Sequence, residues 1–287
     1  MDISQIPGTG FAGRVTKQDI LGFIERGVPA GPMPGTRPLT PAGAIEHPAV
    51  EPWPGDRVEP WTKIRRITED HMIMSRRVSA HVASFFEIDY SRVASLRARH
   101  KQSYAERGVN LTYLAFIAKA CAELLRKHPV VNAAVSGDST IFRRDVNVGI
   151  AVALDWGLIV PVIKHADELS LLGMARAIND LGERARTKKL SPDDIQKGTF
   201  TITNPGGFGP YAGIPIINQP QVAILGVGTI EKRPKVVPVP DGGDAIAICT
   251  MGMLTMSYDH RVVDGTHADR FLADVKKMLQ EFPEGAV

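Results

Sequence analysis

Cysteine is nearly absent. Cys121 and Cys249 are the only two in 287 residues, and no CxxC or metal-type spacing joins them. Each sits among apolar neighbours, so two buried, reduced thiols are expected, which suits a reducing compartment. No Lys/Arg run is present, no aromatic residues interleave with basic ones, and the net charge is only +3. Nucleic acid is therefore not an expected partner. No apolar run approaches the roughly 20 residues of a membrane span. The opening "MDISQIPG" carries neither a basic nor an apolar leader segment, so a cytoplasmic location and no membrane are expected. The sequence has no GxSxG elbow, no GK(S/T) phosphate-loop end and no carboxylate pair in apolar settings. Serine hydrolases, P-loop nucleotide binders and glycosidases fall away with them.

What remains is the composition of a globular protein with a sizeable core, 44% hydrophobic and 23% charged. Three zones are visible. In residues 1–26, "PGTGFAGRVTKQDILGFIERG" reads as a glycine-rich loop followed by a short helix. Thr16 is its N-cap, Asp19 stands three residues on, and Ile20, Phe23 and Ile24 form its apolar stripe. A piece this short does not bury a core alone. Residues 27–60 hold nine prolines in 34 positions, too many for helix or sheet interior. They predict an extended, semi-stiff linker, with Trp53 either docked or solvated.

Residues 61–287 carry a continuous α/β pattern, read as one domain. "HVASFFEIDY" predicts a strand, and "SRVASLRARHKQS" a helix capped by Ser91. "LTYLAFIAKACAELLRKHP" predicts a long helix stopped before Pro129. "VNVGIAVAL" and "GLIVPVI" read as strands around a turn at Asp155–Gly157. "SLLGMARAINDLGERARTKK" reads as an amphipathic helix, and "GTFTITN", "VAILGVGTIEK" and "AIAICTMGMLTMSYD" as strands. The last helix, "THADRFLADVKKMLQEF", has Phe271, Leu272, Val275, Met278 and Leu279 on one face. Strands and helices do not alternate regularly. A mixed sheet packed by helices is expected, rather than a Rossmann fold or a barrel.

Two polar stretches stand out. In "SYDHRVVDGTHADRF", His260 ends an apolar strand and precedes a turn at Asp264–Gly265. Imidazole titrates near physiological pH, so a ring held there suits a general base. Alone, HxxxDG is equally a strand-to-helix turn with a surface histidine. His260, Asp264 and His267 are possible metal ligands, but no second cluster supports them, so no metal is expected. In "TFTITNPGGFGPYAG", Thr199, Thr201 and Thr203 share one strand face. Thr203 and Asn204 end that strand before a glycine-rich loop, where hydroxyl and amide donors suit an oxyanion. The competing reading is a solvated threonine face that ends in a loop.

These stretches, in this order, resemble the catalytic domain of dihydrolipoamide acyltransferases, the E2 core components of 2-oxo acid dehydrogenase complexes. "DHRVVDG" looks like that family's active-site motif, and "GTFTITNPGGFG" like its GTFT strand motif. "IINQPQVAILGVGTIEKRPKV", "VNVGIAVALDWGLIVPVI" and "IRRITEDHMIMSRRVSAHVASFFEID" are similar to further family segments. The similarity covers nearly all of residues 61–280. Residues 1–26 resemble the second half of a peripheral subunit-binding domain, the module that binds the E1 or E3 enzyme. A Pro-rich linker between that module and the core is the family's usual arrangement. The first binding-domain helix and the lipoyl domain with its lysine are not seen, so binding of E1 or E3 is expected to be weak or lost. Ala80 stands where proline is common in the family.

The resemblance implies the CoA-dependent acyltransferase fold, like that of chloramphenicol acetyltransferase. It implies transfer of an acyl group between dihydrolipoamide and coenzyme A, the lipoyl group being supplied by a lipoyl domain outside this chain. His260 would be the base and Thr203 the oxyanion donor. Asp264 would hold the loop together with an arginine, best matched by Arg65, while Asn204 and Gly265 play supporting parts. In the family the site lies between subunits of a homotrimer, and trimers build a cubic or dodecahedral core. Two alternatives stand beside this reading: a non-catalytic scaffold of the same fold, and an acetyltransferase acting on a small molecule such as an antibiotic. The acyl group itself is left open among acetyl, succinyl and branched-chain, with Thr203 leaning towards succinyl.

Overall fold

A computed structural model describes residues 49–155 and 157–287. The binding-domain remnant expected over 1–26 and the linker as far as residue 48 lie outside the described residues, as does Trp156. The chain divides into two units after Val58. In the first, residues 49–58 are exposed and form one turn. The Trp53 amide donates to Asp56 Oδ2 at 2.7 Å, and the Asp56 amide donates to the Trp53 carbonyl at 3.0 Å. The Trp53 side chain lies in solvent.

The second unit opens with helix α1, Lys63–Val78. Strand β1, His81–Asp89, leads into α2, Ser91–Glu106, and then α3, Tyr113–Leu125. Two short hairpins flank the next part of the sheet. The first is β2, Ala133–Ser136, with β3, Ser139–Phe142. Strand β4, Val148–Ile150, precedes the second, which is β5, Val152–Leu154, with β6, Gly157–Ile159. Then come β7, Val162–Ile163, and helix α4, Leu171–Arg186, whose N-cap Ser170 accepts from the Gly173 amide. Strands β8, Phe200–Thr203, β9, Ala223–Val227, β10, Glu231–Pro238, and β11, Asp244–Asp259, precede the last helix, α5, Gly265–Gln280.

The main sheet runs β1-β11-β9-β8-β4-β7, with β10 paired to the first half of β11. β9 with β8 and β8 with β4 are parallel, and the other neighbours are antiparallel. This is the expected mixed sheet. The core lies on the face where Phe200, Ile202, Leu225, Leu254, Met256 and Tyr258 meet α3 and α5. Helix α3 is buried on nearly every side, from Ala115 to Leu125, which fits its almost wholly apolar sequence. Each Leu or Phe buried there contributes about 1.5–3 kcal/mol. Cys121 is fully buried in α3, and burial pushes its thiol up; Cys249 is buried in β11.

Several local expectations need correction. Ser91 does not cap α2: Tyr90 is the N-cap and offers no side-chain bond. The Asp89 carboxylate instead accepts from the Ser91 amide at 3.0 Å, and Ser91 Oγ accepts from the Thr250 amide. "VAILGVGTIEK" is not one strand. It breaks after Val227, where the Gly228 amide donates to the Met253 carbonyl, and resumes as β10. The register against β11 shifts by one residue across this break, from Val227 opposite Leu254 to Glu231 opposite Met251, as a bulge requires. The threonine face of β8 is not solvated. Thr199 and Thr201 are buried, and Thr201 Oγ1 donates to Gln221 Oε1 at 2.7 Å and accepts from Asn218 Nδ2 at 3.3 Å.

Candidate active site

His260 follows the last residue of β11, and its backbone is tightly held. Its amide donates to the Ala80 carbonyl at 2.9 Å, and the Asp259 amide before it donates to the Val222 carbonyl at 2.8 Å. The Val262 and Val263 amides both donate to the Asp259 carbonyl, which closes the turn into α5. The imidazole is exposed, its ring centre 6.2 Å from that of Tyr258. A firm backbone under an exposed ring suits a base that meets its substrate from outside this chain.

Asp264 is the N-cap of α5. Its carboxylate accepts from the His267 amide at 3.2 Å and lies 2.8 Å from His267 Nδ1. The His267 amide, first among the causes, holds this carboxyl below its usual range. Arg65 lies in the first turn of α1 with its amide donating to Thr62 Oγ1 and its side chain in solvent. Within one chain the polar partner of Asp264 is His267. Gly265 is the first residue of α5, and a Cβ there would meet only the Tyr258 hydroxyl at 3.8 Å.

Sequence reasoning missed the buried carboxylate beside His260. Asp259 is 1% exposed, yet its oxygens accept from Arg261 Nε and from the terminal Arg261 nitrogen, the latter at 2.6 Å. The Ala80 and Arg261 amides add bonds at 3.2 and 3.1 Å. Burial works to raise this carboxyl, but the bonds from Arg261 and Ser79 outweigh it and hold it below the usual range. An aspartate that ends an apolar strand gives no sequence signal of burial.

At the other end of the sheet, Thr203 closes β8, half-buried, and its hydroxyl has no hydrogen-bond partner among the described residues. Asn204 Oδ1 accepts from the Gly206 amide at 3.1 Å and so shapes the loop that follows. That loop is tied to the start of β10, where Thr229 Oγ1 donates towards the carbonyls of Gly206 and Pro210. Only glycine fits at 206, because a Cβ would stand 2.6 Å from the Gly228 carbonyl oxygen. A cleft of about 660 Å³ opens beside Asn204 between α4 and β4–β5, and Arg176 and Arg186 are among its lining residues. A second, of about 880 Å³, lies at the opposite end of β8 near Thr199 and Gln221.

The register fixes how far apart the two polar residues are. Thr203 lies opposite Gly226, and Gly226 lies opposite Thr255. His260 is five residues beyond Thr255 along β11. At roughly 3.3 Å per residue, it stands about 16 Å from Thr203 along the strands, and two strands away across the sheet. One chain does not bring these side chains together. Among the described residues no three His, Cys, Asp or Glu side chains gather as a metal ion would require, and no helix is long and apolar enough to cross a membrane.

Residues 54–286 match the family described as 2-oxoacid dehydrogenases acyltransferase (catalytic domain). The chain is 40% identical over 286 residues to the dihydrolipoyllysine-residue acetyltransferase component of the pyruvate dehydrogenase complex from Corynebacterium glutamicum. It is 39% identical over 297 residues to the lipoamide acyltransferase component of the branched-chain alpha-keto acid dehydrogenase complex from Bacillus subtilis. These alignments take in 98% and 99% of the chain but 42% and 68% of the relatives, so the chain spans between about two fifths and two thirds of their length. Among solved structures it resembles a probable dihydrolipoamide acetyltransferase from Listeria monocytogenes, with TM-score 0.77 and 38% identity over 82% of this chain and 99% of that one. It also resembles dihydrolipoamide acetyltransferase from Azotobacter vinelandii, with TM-score 0.74 and 36% identity over 82% of this chain and 98% of that one. The Azotobacter structure comes from a study of a serine, a histidine and an asparagine in that enzyme's catalytic mechanism.

Proposed function

This chain belongs to the catalytic-domain family of 2-oxoacid dehydrogenase acyltransferases, and from that premise we propose that it moves an acyl group between dihydrolipoamide and coenzyme A. The observation that carries the reading is the division of the polar residues between the two ends of one sheet. An exposed, firmly held His260 and a Thr203 hydroxyl with no hydrogen-bond partner among the described residues are complementary parts, and a second copy would join them. The site is thus assembled where the β11 end of one subunit meets the β8 end of the next. Repetition of that heterologous contact closes a ring, which we take to be a homotrimer. A similar structure solved as the cubic core of the pyruvate dehydrogenase multienzyme complex supports further assembly of the rings.

The chemistry follows from the two side chains. A free thiol near neutral pH is only a few per cent thiolate. His260 takes the proton as the thiol attacks the thioester carbonyl. The carbonyl oxygen becomes an oxyanion and accepts a hydrogen bond from Thr203 Oγ1. The tetrahedral species collapses and expels the second sulfur, which recovers the proton from the imidazolium. No acyl-enzyme is needed, because both thiols reach one carbonyl. The cleft beside Asn204 offers a thiol-bearing arm a route to Thr203, and neither Arg176 nor Arg186 has a carboxylate partner among the described residues, so both are available to the phosphates of coenzyme A.

The deciding assay incubates the assembled protein with dihydrolipoamide and acetyl-, succinyl- or isobutyryl-CoA. Transfer that requires dihydrolipoamide, with one donor favoured, is expected and names the acyl group. An assembled protein that transfers none of the three removes the reading. A smaller effect tests the loop. Gly206→Ala drives a methyl against the Gly228 carbonyl and towards Asn204 Oδ1, so the loop that follows Thr203 must shift. A misplacement of a full ångström costs about 10²-fold, so a fall of about tenfold in kcat is expected. Unchanged kcat would mean that the loop does not set the donor.

A further inference from the structure

We propose that Asp259 and Arg261 form a clamp that positions His260. The proposal rests on His260 being the base, and it assigns a role to an ion pair, its carboxylate buried, that the reaction itself does not use. The clamp spans the histidine: its carboxylate comes from the residue before and its guanidinium from the residue after. Arg261 Nε reaches both Asp259 oxygens at 3.0 and 3.1 Å, and the terminal nitrogen reaches Oδ2 at 2.6 Å. The Arg261 amide also donates to Oδ1, so the carboxylate fixes the backbone on the far side of His260 as well. Ala80 closes the ring of contacts. Its amide donates to Asp259 Oδ1 and its carbonyl accepts from the His260 amide, so one peptide neighbour holds two successive residues. Behind it, Gln219 Nε2 donates to Ser79 Oγ at 2.6 Å, next to Ala80 in the chain.

Three features separate this pair from an ordinary strand-end ion pair. First, the Asp259 carboxylate is 1% exposed and fully engaged, so it has no capacity left to act as a base itself. Second, the pair is not isolated: the Ala80 and Arg261 amides also donate to the carboxylate, so its bonds tie down the backbone on both sides of His260. Third, Asp264, the other carboxylate of the motif, is half-exposed and occupied with His267 at the start of α5. A base with an exposed ring gains its aim from the backbone beneath it, and supporting bonds of this kind hold catalytic groups within about 0.5 Å of productive geometry. Asp259 and Arg261 act through His260 and touch no substrate; they are positioning residues.

The test uses Arg261→Lys, which keeps the charge beside the buried carboxylate but loses the fork. The Arg261 side chain is 41% exposed, so a lysine is accommodated. In the assembled protein, kcat is expected to fall about tenfold with the KM for coenzyme A unchanged. The decisive measurement repeats the substitution in the His260→Ala background. If the clamp acts only through His260, Arg261→Lys there costs no further rate. The same tenfold loss without His260, a loss confined to KM, or wild-type kcat in the single variant each overturns the proposal. Should Arg261→Lys fail to assemble, Asp259→Asn keeps the side-chain shape, removes the charge that the Arg261 fork grips and carries the same test, with an expected fall in kcat of about tenfold that again vanishes without His260. If His260→Ala itself keeps full activity, it is the functional reading that fails, before the clamp is put to any test.

Discussion

His260→Ala is expected to lower kcat by about 10²–10⁴-fold, the usual weight of a positioned general base. The ring is exposed at the β11 turn on a backbone fixed at both neighbours. Its removal leaves the attacking thiol dependent on its own small thiolate fraction. The backbone bond from residue 260 to Ala80 does not need the imidazole, so the fold and the assembly should persist. The KM for coenzyme A should change little, because the ring acts on the thiol proton rather than on the nucleotide. Steady-state kinetics at saturating dihydrolipoamide separate the two effects. A near wild-type kcat would strip His260 of its role, and a loss confined to KM would make the ring a binding group.

How much of this was legible in the sequence depends on the range of the forces involved. Helix α5 and strand β11 follow from local pattern, since their apolar periodicity is set by one face against one core. Helix α1 has as regular an apolar stripe, but local pattern does not tell what covers it. Ser75 is its only buried residue, while Ile64, Ile67, Met74 and Val78 face outward from a single chain. The strand "VAILGVGTIEK" ran on in sequence because its hydrophobic alternation continues through the bulge at Gly228–Ile230, which only pairing with β11 reveals. The threonine face of β8 misled for a similar reason. A Thr row facing water and a Thr row covered by Asn218 and Gln221 have the same sequence, and the covering residues lie 17 and 20 positions away. The motif located His260 and Thr203 correctly as strand ends. It did not tell that the strands place them at opposite ends of one sheet, because that depends on strand order and direction. The hold on Asp259 depends on Ala80, 179 residues away in the chain.

The separation of the two residues makes the second large effect more than a loss of rate. Thr203→Ala removes an oxyanion donor worth about 2.7–4 kcal/mol, so kcat should fall by about 10²–10³-fold. Thr203→Ser keeps the hydroxyl and should retain most activity, which distinguishes a lost donor from lost packing at a half-buried position. The alanine losses at 203 and 260 need not add, since both side chains serve one transition state. Mixing then reads the geometry. His260→Ala chains carry an intact Thr203, and Thr203→Ala chains carry an intact His260. If each site takes its histidine from one subunit and its threonine from the next, random co-assembly of equal amounts gives intact sites at roughly a quarter of the heterologous contacts. Activity should therefore rise from the low level of either parent to roughly a quarter of that of the unaltered protein, again by the statistics of one contact type. A site built within one chain predicts no recovery at all, because every chain lacks one partner. Folded, co-assembled mixtures that stay at the parental rate would refute the shared site. The sheet register would then have to be reconciled with two residues about 16 Å apart along the strands.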